Sequence, residues 1–387
     1  MNILRYFTAG ESHGPALTGI LEGLPAGLEF STQYVNEHLA RRQKGHGRGG
    51  RMKIETDKAE ITGGIRHGKT LGSPLSITIR NKDWKNWQEP MRVDAGGDES
   101  LKNVHIPRPG HADYVGGVKY GHDDLRNVLE RASARETAAR VAIACAARRL
   151  LEEFDIKIAG RVVSIGTAKD STDLDEIPID DIISKTENSL VRCLDSDAAS
   201  KMISQIDAVK EKGDTLGGVF EIIADGLPVG LGSYAQWDRR LEGMLAQVFM
   251  SLNAIKGVEI GLGFASAKLT GSEVHDALYF DESRSHAVRK TNRSGGIDGG
   301  ITTGARLVVR AAMKPISTLM KPIPSIDLRA REAVDAHVER SDFCAVAAAS
   351  VIAESLTALV LADEFLRKFG GDSVKEIRSH YENSKRR

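Results

Sequence analysis

Cysteine is scarce in this chain, and what there is carries no pattern. Cys145, Cys193 and Cys344 are odd in number and far apart, which excludes a disulfide framework and any zinc spacing. Cys145 and Cys344 lie in alanine-rich apolar runs, where a buried thiol is the ordinary case and a reducing compartment is expected. Aromatics are also few, at 5 %, so base stacking along a nucleic acid has little to work with. Charge of one sign is missing: Lys+Arg and Asp+Glu both total 53. That balance argues against a basic nucleic-acid binder and against an acidic disordered chain. The N-terminus Met-Asn-Ile-Leu-Arg-Tyr-Phe holds no signal-peptide core, and no apolar stretch reads as long and charge-free enough to span a bilayer. A soluble cytoplasmic protein without membrane or nucleic-acid partners is the expectation.

What the chain does have is aliphatic and small residues. Hydrophobic content of 41 % over 387 residues allows a sizeable core, and 39 glycines allow many tight turns. Residues 2–30 read as short strands broken by glycine, and 32–43 as a helix through Val35 and Leu39. Residues 54–80 alternate like strands, with Leu75, Ile77 and Ile79 on one face. One long helix is expected from Asp123 to Phe154, capped by Asp123 or Asp124, with Val128, Ala132, Arg135, Ala139, Ala142 and Ala146 on a stripe. Strands follow near 157–165 and 216–224. A helix is expected over 236–256, stopped by Gly257, then a polar glycine-rich loop over 285–306. The last element is a helix from Ser341 or Asp342 to Phe369, ended by Gly370-Gly371. The two alanine-rich helices have similar openings, Val128-Leu-Glu-Arg-Ala-Ser133 and Val338-Glu-Arg-Ser-Asp342. Each ends near a Glu-Phe pair, and we read them as an internal duplication. No linker divides the chain, so residues 1–387 are expected to form a single domain.

Chemistry concentrates in two framed histidines, Gly10-Glu11-Ser12-His13-Gly14 and Arg108-Pro109-Gly110-His111-Ala112-Asp113. Imidazole suits proton transfer near neutrality, so the pair points to acid–base work. Arg131 and Arg135 are spaced i,i+4 on an otherwise alanine face, which asks for anions to meet them. Those anions are either acidic side chains or a ligand. Arg340 poses the same question beside Ser341-Asp342. With Arg108 these arginines suit a substrate bearing several negative charges. The stretch Arg41, Arg42, Lys44, His46, Arg48, Arg51, Lys53 reads either as a solvated loop or as a lid over a polyanionic small molecule. Gly63-Gly-Ile-Arg-His-Gly68-Lys69-Thr70 fits the Walker A string of a phosphotransferase. A strand pattern rather than a helix follows it, so the phosphate-binding helix N-terminus is missing. His111, Asp113, His122, Asp123 and Asp124 match no metal-ligand spacing, and no metal is expected.

Five segments resemble signatures of the chorismate synthase family, in the family's order and over nearly the whole chain. They are Gly-Glu-Ser-His-Gly (10–14), Arg-Pro-Gly-His-Ala-Asp (108–113), Glu-Arg-Ala-Ser-Ala-Arg-Glu-Thr (130–137), Lys-Pro-Ile-Ser-Thr (314–318) and Arg-Ser-Asp (340–342). The resemblance implies an α+β fold, a β-α-β sandwich with helices held between antiparallel sheets, assembled as a homotetramer. It implies anti-1,4-elimination of phosphate from 5-enolpyruvylshikimate 3-phosphate to give chorismate, with reduced FMN required and NADPH as a reductant in some members. By resemblance, His13 is the acid for the leaving phosphate and His111 the histidine that protonates reduced flavin. Asp342 is the carboxylate that acts with flavin N5 in hydrogen removal. Ser12, Arg48, Arg108, Ser133, Arg135 and Arg340 would line the substrate. FMN would meet Arg131, Ala132, Ser133, Asn253, Ala254, Gly299, Lys314, Pro315, Ile316, Ser317, Thr318 and Arg340. Arg42 and Arg48 match positions for NADP.

Overall fold

The computed structural model describes residues 3–49, 56–282, 286–339 and 341–385. The first half opens with β1 (Arg5–Ala9) and β2 (Ala16–Glu22), followed by α1 (Thr32–Gln43), which Ser31 caps at the Tyr34 amide. Strand β3 (Ala59–Gly63) leads into a small hairpin of β4 (Ile65–Arg66) and β5 (Lys69–Thr70), and then into β6 (Leu75–Arg80). The four long strands form an antiparallel sheet in the order β1-β2-β6-β3. As the alternation predicts, Leu75, Ile77 and Ile79 of β6 are buried on one face. The Walker-like string is the β4–β5 hairpin itself, with His67 and Gly68 at positive φ in its turn. It has no helix behind it to bind phosphate.

A long excursion then returns through α2 (Asp113–Tyr120), α3 (Arg126–Ala132) and α4 (Thr137–Glu152). The single helix expected from Asp123 to Phe154 is therefore broken. Ser133 adopts extended backbone (φ −63, ψ 141), and its hydroxyl accepts from the Arg135 amide, restarting the chain as a 3₁₀ turn. Arg131 and Arg135 thus lie on different segments and share no face. The N-cap of α3 is Leu125 rather than Asp123 or Asp124; Asp124 sits one residue earlier, its carboxylate accepting from the Arg126 and Val104 amides.

The second half repeats the plan. It comprises β7 (Lys157–Ile165), the short β8 (Ala168–Lys169), α5 (Ile179–Asn188), α6 (Ser196–Glu211), β9 (Gly218–Asp225), α7 (Leu241–Met250) and β10 (Ile255–Ile260). Two hairpins, β11 (Leu278–Asp281) with β12 (His286–Arg289) and β13 (Ile297–Asp298) with β14 (Ile301–Thr302), occupy much of the stretch expected as loop. Strand β15 (Leu307–Met313), the hairpin of β16 (Pro324–Asp327) and β17 (Glu332–Asp335), α8 (Val346–Phe369) and α9 (Val374–Ser384) complete the chain. The helix expected over 236–256 ends at Met250. Ala254 turns the chain at positive φ, and Gly257 falls inside β10 rather than stopping a helix.

The second antiparallel sheet runs β10-β15-β9-β7-β8. Leaving out β8, its order matches the first sheet when β7, β9, β10 and β15 stand for β1, β2, β3 and β6. Helices α7 and α8 then stand for α1 and α4, which makes the duplication a property of the topology. Helix α4 packs on β2 and β6, α8 packs on β7 and β9, and the two helices pack on each other. The result is the expected β-α-β sandwich. Small residues allow the close layers: a Cβ at Gly19 of β2 would meet the Ile143 side chain of α4 at 2.4 Å. Helix α8 is as long and apolar as a membrane span, against the expectation from the sequence, yet its apolar window is wholly buried in the core. A helix apolar on all sides needs cover on all sides, and the second sheet with α1, α4, α7 and α9 provides it.

Candidate active site

At one end of the helix layer the chain encloses a cavity of about 570 Å³. Its first wall comes from the β1–β2 turn and α3. His13 Nδ1 lies 2.8 Å from Glu130 Oε1, and the His13 amide donates to Glu130 Oε2 at 2.7 Å. A carboxylate only accepts, so Nδ1 carries the hydrogen and Nε2 is left for exchange with a ligand. Trp87 stacks on the imidazole with ring centroids 3.8 Å apart, and its indole N–H is held by Asp83. Burial pushes the Glu130 carboxyl up, but the hydrogen bonds and charge of His13, with Arg126, outweigh it and hold Glu130 below its usual range.

The second wall carries His111. Its Nδ1 is 2.5 Å from Asp113 Oδ1, and the other Asp113 oxygen accepts from Arg108 Nε at 2.9 Å. Burial raises the Asp113 pKa, whereas His111 and Arg108 together drive it well below the ordinary carboxylate range. Arg108 also donates to Thr318 Oγ1 and pairs with Glu339. Both framed histidines are thus imidazole–carboxylate dyads, a form that fixes tautomer and ring orientation.

The third wall joins the basic loop to the start of α8. Arg48 pairs with Asp342 at 2.9 Å, the Gly49 amide donates to Asp342 Oδ1 at 2.6 Å, and the Phe343 amide donates to Gly47 O at 2.8 Å. A Cβ on Gly49 would sit 2.7 Å from Ser341 O, so only glycine allows this approach. Up to residue 49 the basic stretch is a docked strap over the cavity rather than a free loop. Arg51 and Lys53 lie outside the described residues.

One cavity therefore brings together His13, His111, Asp342, Ser12, Arg48, Arg108, Ser133 and Arg135. Arg42, Ala132, Asn253, Ala254, Lys314, Ile316, Ser317 and Thr318 line it as well. The matches to known proteins are extensive. A model of the family described as chorismate synthase matches residues 4–366. The chain belongs to the chorismate synthase family. It is 53 % identical over 380 residues to the chorismate synthase of Desulforamulus reducens, covering 97 % of each chain. The Geobacillus kaustophilus chorismate synthase is 50 % identical over 385 residues, with 99 % of each covered. A chorismate synthase crystal structure superposes with a TM-score of 0.79 at 43 % identity, covering 98 % of this chain and 97 % of that one.

Three expected members of the site stand differently. Arg131 is exposed and ties its guanidinium to the Thr8 and Gly10 carbonyls. The break at Ser133 turns it away from the cavity lining. Gly299, in the β13–β14 turn at positive φ, is also not among the lining residues. Arg340 lies outside the described residues. Arg135 lines the cavity, but its guanidinium is engaged by Asp57 at 2.6 Å and by Asn81. Arg42 donates to Thr137 Oγ1 and Ala134 O, which anchors it in the cavity floor. The buried arginines are thus met chiefly by the protein's own acids and amides. Glu130 and Asp113, the partners of the two histidines, both fall inside the quoted motifs, but nothing in the spacing of those motifs marks them as partners. Trp87, Asp57, Asn81 and Glu339 had no local signal. Among the described residues no cluster suited to a metal occurs.

Proposed function

We propose that this cavity performs the family's elimination on 5-enolpyruvylshikimate 3-phosphate, releasing the 3-phosphate and a C6 hydrogen to give chorismate. The observation that carries this is the convergence of two imidazole–carboxylate dyads and the Asp342–Arg48 pair on a single cavity. The volume falls within the usual range for small-molecule sites. The lining also suits reduced FMN. Ala345 at the N-cap of α8 and Ala348, Ala349 and Ile352 within it give the lining an apolar part, and Ser317, Thr318, Lys314 and Asn253 offer polar groups. Ala132, Ser133, Ala254, Ile316 and the adjoining Pro315 would complete that hold. Bound reduced FMN would supply an electron-rich ring to a reaction with no net redox change.

The chain's own residues divide the remaining work. His13, oriented by Glu130 and backed by Trp87, donates a proton from Nε2 as the C3–O bond to phosphate breaks. His111, held by Asp113, keeps a proton at the cofactor side. Asp342, steadied by Arg48 and the Gly49 amide, stands at the hydrogen-removal end. Ser12 and Ser133, with hydroxyls 3.2 Å apart, provide neutral donors for the substrate. Arg48, Arg108 and Arg135 supply positive field, and Arg340 keeps its substrate and cofactor role on the resemblance alone. The phosphotransferase alternative has no support, since its string is a tight hairpin.

Anaerobic mixing of the protein with chemically reduced FMN and 5-enolpyruvylshikimate 3-phosphate should release phosphate and form chorismate. Folded protein that releases none would overturn the proposal. A parallel arm with oxidised FMN and NADPH decides whether reduction is intrinsic; the anchoring of Arg42 favours an outside reductant. The proposal includes a homotetramer acting in the cytoplasm, which the exposed apolar residues Leu278 and Phe280 support as interface material.

A further inference from the structure

The two dyads are linked. From His13 the chain of contacts runs through Glu130 to Arg126 Nη1 at 3.2 Å, and from Arg126 to Glu339 Oε1 at 3.8 Å. Glu339 Oε2 then lies 3.4 Å from Arg108 Nη1, and Arg108 holds Asp113, which holds His111. Glu130 with Arg126 is a balanced pair, and so is Asp113 with Arg108. Glu339 stands between them, with His337 Nε2 3.4 Å from its Oε1. We infer that Glu339 is the shared counter-charge of the two dyads, acting on His13 through Arg126 and on His111 through Arg108.

The surroundings bear this out. Glu339 faces Arg108, Arg126 and His337, and the hydrogen bond from His337, against the cost of burial, together with both arginines holds its carboxyl down at about 2. It therefore stays anionic wherever the histidines titrate. His13 is faced by Glu130 and Arg126, with Lys102 above the Trp87 ring at 3.6 Å. His111 is faced by Asp113 and Arg108, and the Lys314 ammonium donates to the neighbouring Gly110 carbonyl. Across the cavity, Arg48 with Asp342 is balanced, while Arg42 and Arg135 share Asp57. Glu339 itself lines the cavity, and as a positioning residue it acts on the two histidines through the arginines.

The acid–base duties of the two histidines rest on the proposed function, whereas their shared anion does not. Nitrogen-15 NMR of the full-length protein without substrate reads it directly, with signals assigned from His13→Asn and His111→Asn variants. Glu339→Gln should lower both imidazole midpoints, each by about 0.3–1 pH unit for a charge lost at this range. A merely structural glutamate would leave both unmoved. A shift of one histidine alone, or of neither, overturns the inference. Should the glutamine variant fail to fold, Glu339→Asp pulls the charge back from both arginines and must displace both midpoints in the same direction. Displacement of one alone or of neither overturns it equally. Phosphate release measured separately keeps failure of the proposed reaction distinct from failure of the inference.

Discussion

At the scale of single residues, His13 and Asp342 carry the sharpest consequences. Removing the proton donor by His13→Ala should lower kcat by about 10²–10⁴, the ordinary size of an acid–base contribution. Steady-state turnover checks it, and near-normal rates would take His13 out of the mechanism. Asp342→Asn should slow the reaction while reduced FMN still binds, as read by flavin fluorescence titration. Loss of binding would instead mark Asp342 as a residue that holds the Arg48 strap. The histidine frames were legible because glycine and hydroxyl neighbours surround each imidazole within five or six positions. Their carboxylates were less so: Asp113 lies two residues from His111, but Glu130 reaches His13 only because α3 crosses the β1–β2 turn. Trp87 and Glu339 come from irregular segments with no periodicity to announce where they go.

At the scale of elements, the buried Glu354 ties α8 to its neighbours. Its carboxylate accepts from Arg41 of α1, Arg148 of α4 and Arg192 at 2.7–2.8 Å. Burial opposes its charge, yet the three arginines win and keep it at about 2. Glu354→Gln removes the buried anion the three guanidiniums share, leaving Arg41 and Arg192 on Glu187 and Arg148 on Glu152. It should cost about 3–5 kcal/mol in urea unfolding, the usual penalty for breaking a buried ion cluster. His38, on the inner face of α1, gives the same region a pH dependence. Burial, with Arg148 and Arg41, lowers its pKa from 6.5 to about 3. A base whose folded pKa is depressed contributes fully above its unfolded value. As pH falls from about 6.5 towards 3, the unfolded chain takes up a proton that the folded chain refuses, so stability declines by up to about 1.4 kcal/mol per unit. Unfolding free energies at pH 7.5 and 5 should show this slope, and His38→Gln should flatten it. The helix at 32–43 was legible from spacing and the end of the last helix from Gly370-Gly371. That last helix starts at Val346 rather than at Ser341 or Asp342, because the Asp342 carboxylate is taken by Arg48 and the Gly49 amide. The break at Ser133 was not legible, because alanine-rich sequence continues across it and a serine hydroxyl competes for the backbone only once the turn exists.

At the scale of the whole molecule, the two halves share one core. Helices α4 and α8 pack on each other, and each covers a different sheet, so neither half can bury its helix alone. We expect one cooperative calorimetric transition for the full chain; two resolved transitions would show that residues 1–387 are not a single domain. The exposed hairpin residues Leu278 and Phe280 belong to the assembly question. Phe280→Asp should move the protein from tetramer to smaller species in sedimentation velocity, with the fold unchanged by circular dichroism. A wild-type monomer would remove the tetramer from the proposal.

The sequence by itself determined the α+β class, the two alanine-rich central helices, the family and many of the polar residues that line the cavity. Motifs and periodicities are local, and local patterns survive without coordinates. The tertiary structure alone decided that the arginines are met mainly by Asp57, Asp113 and Glu339, and that Arg131 turns away. It also decided that the basic stretch up to Gly49 docks on Asp342. Those outcomes depend on which distant acid arrives beside which base when the two sheets close on the helices, and charge pairing across such separations leaves no mark in spacing.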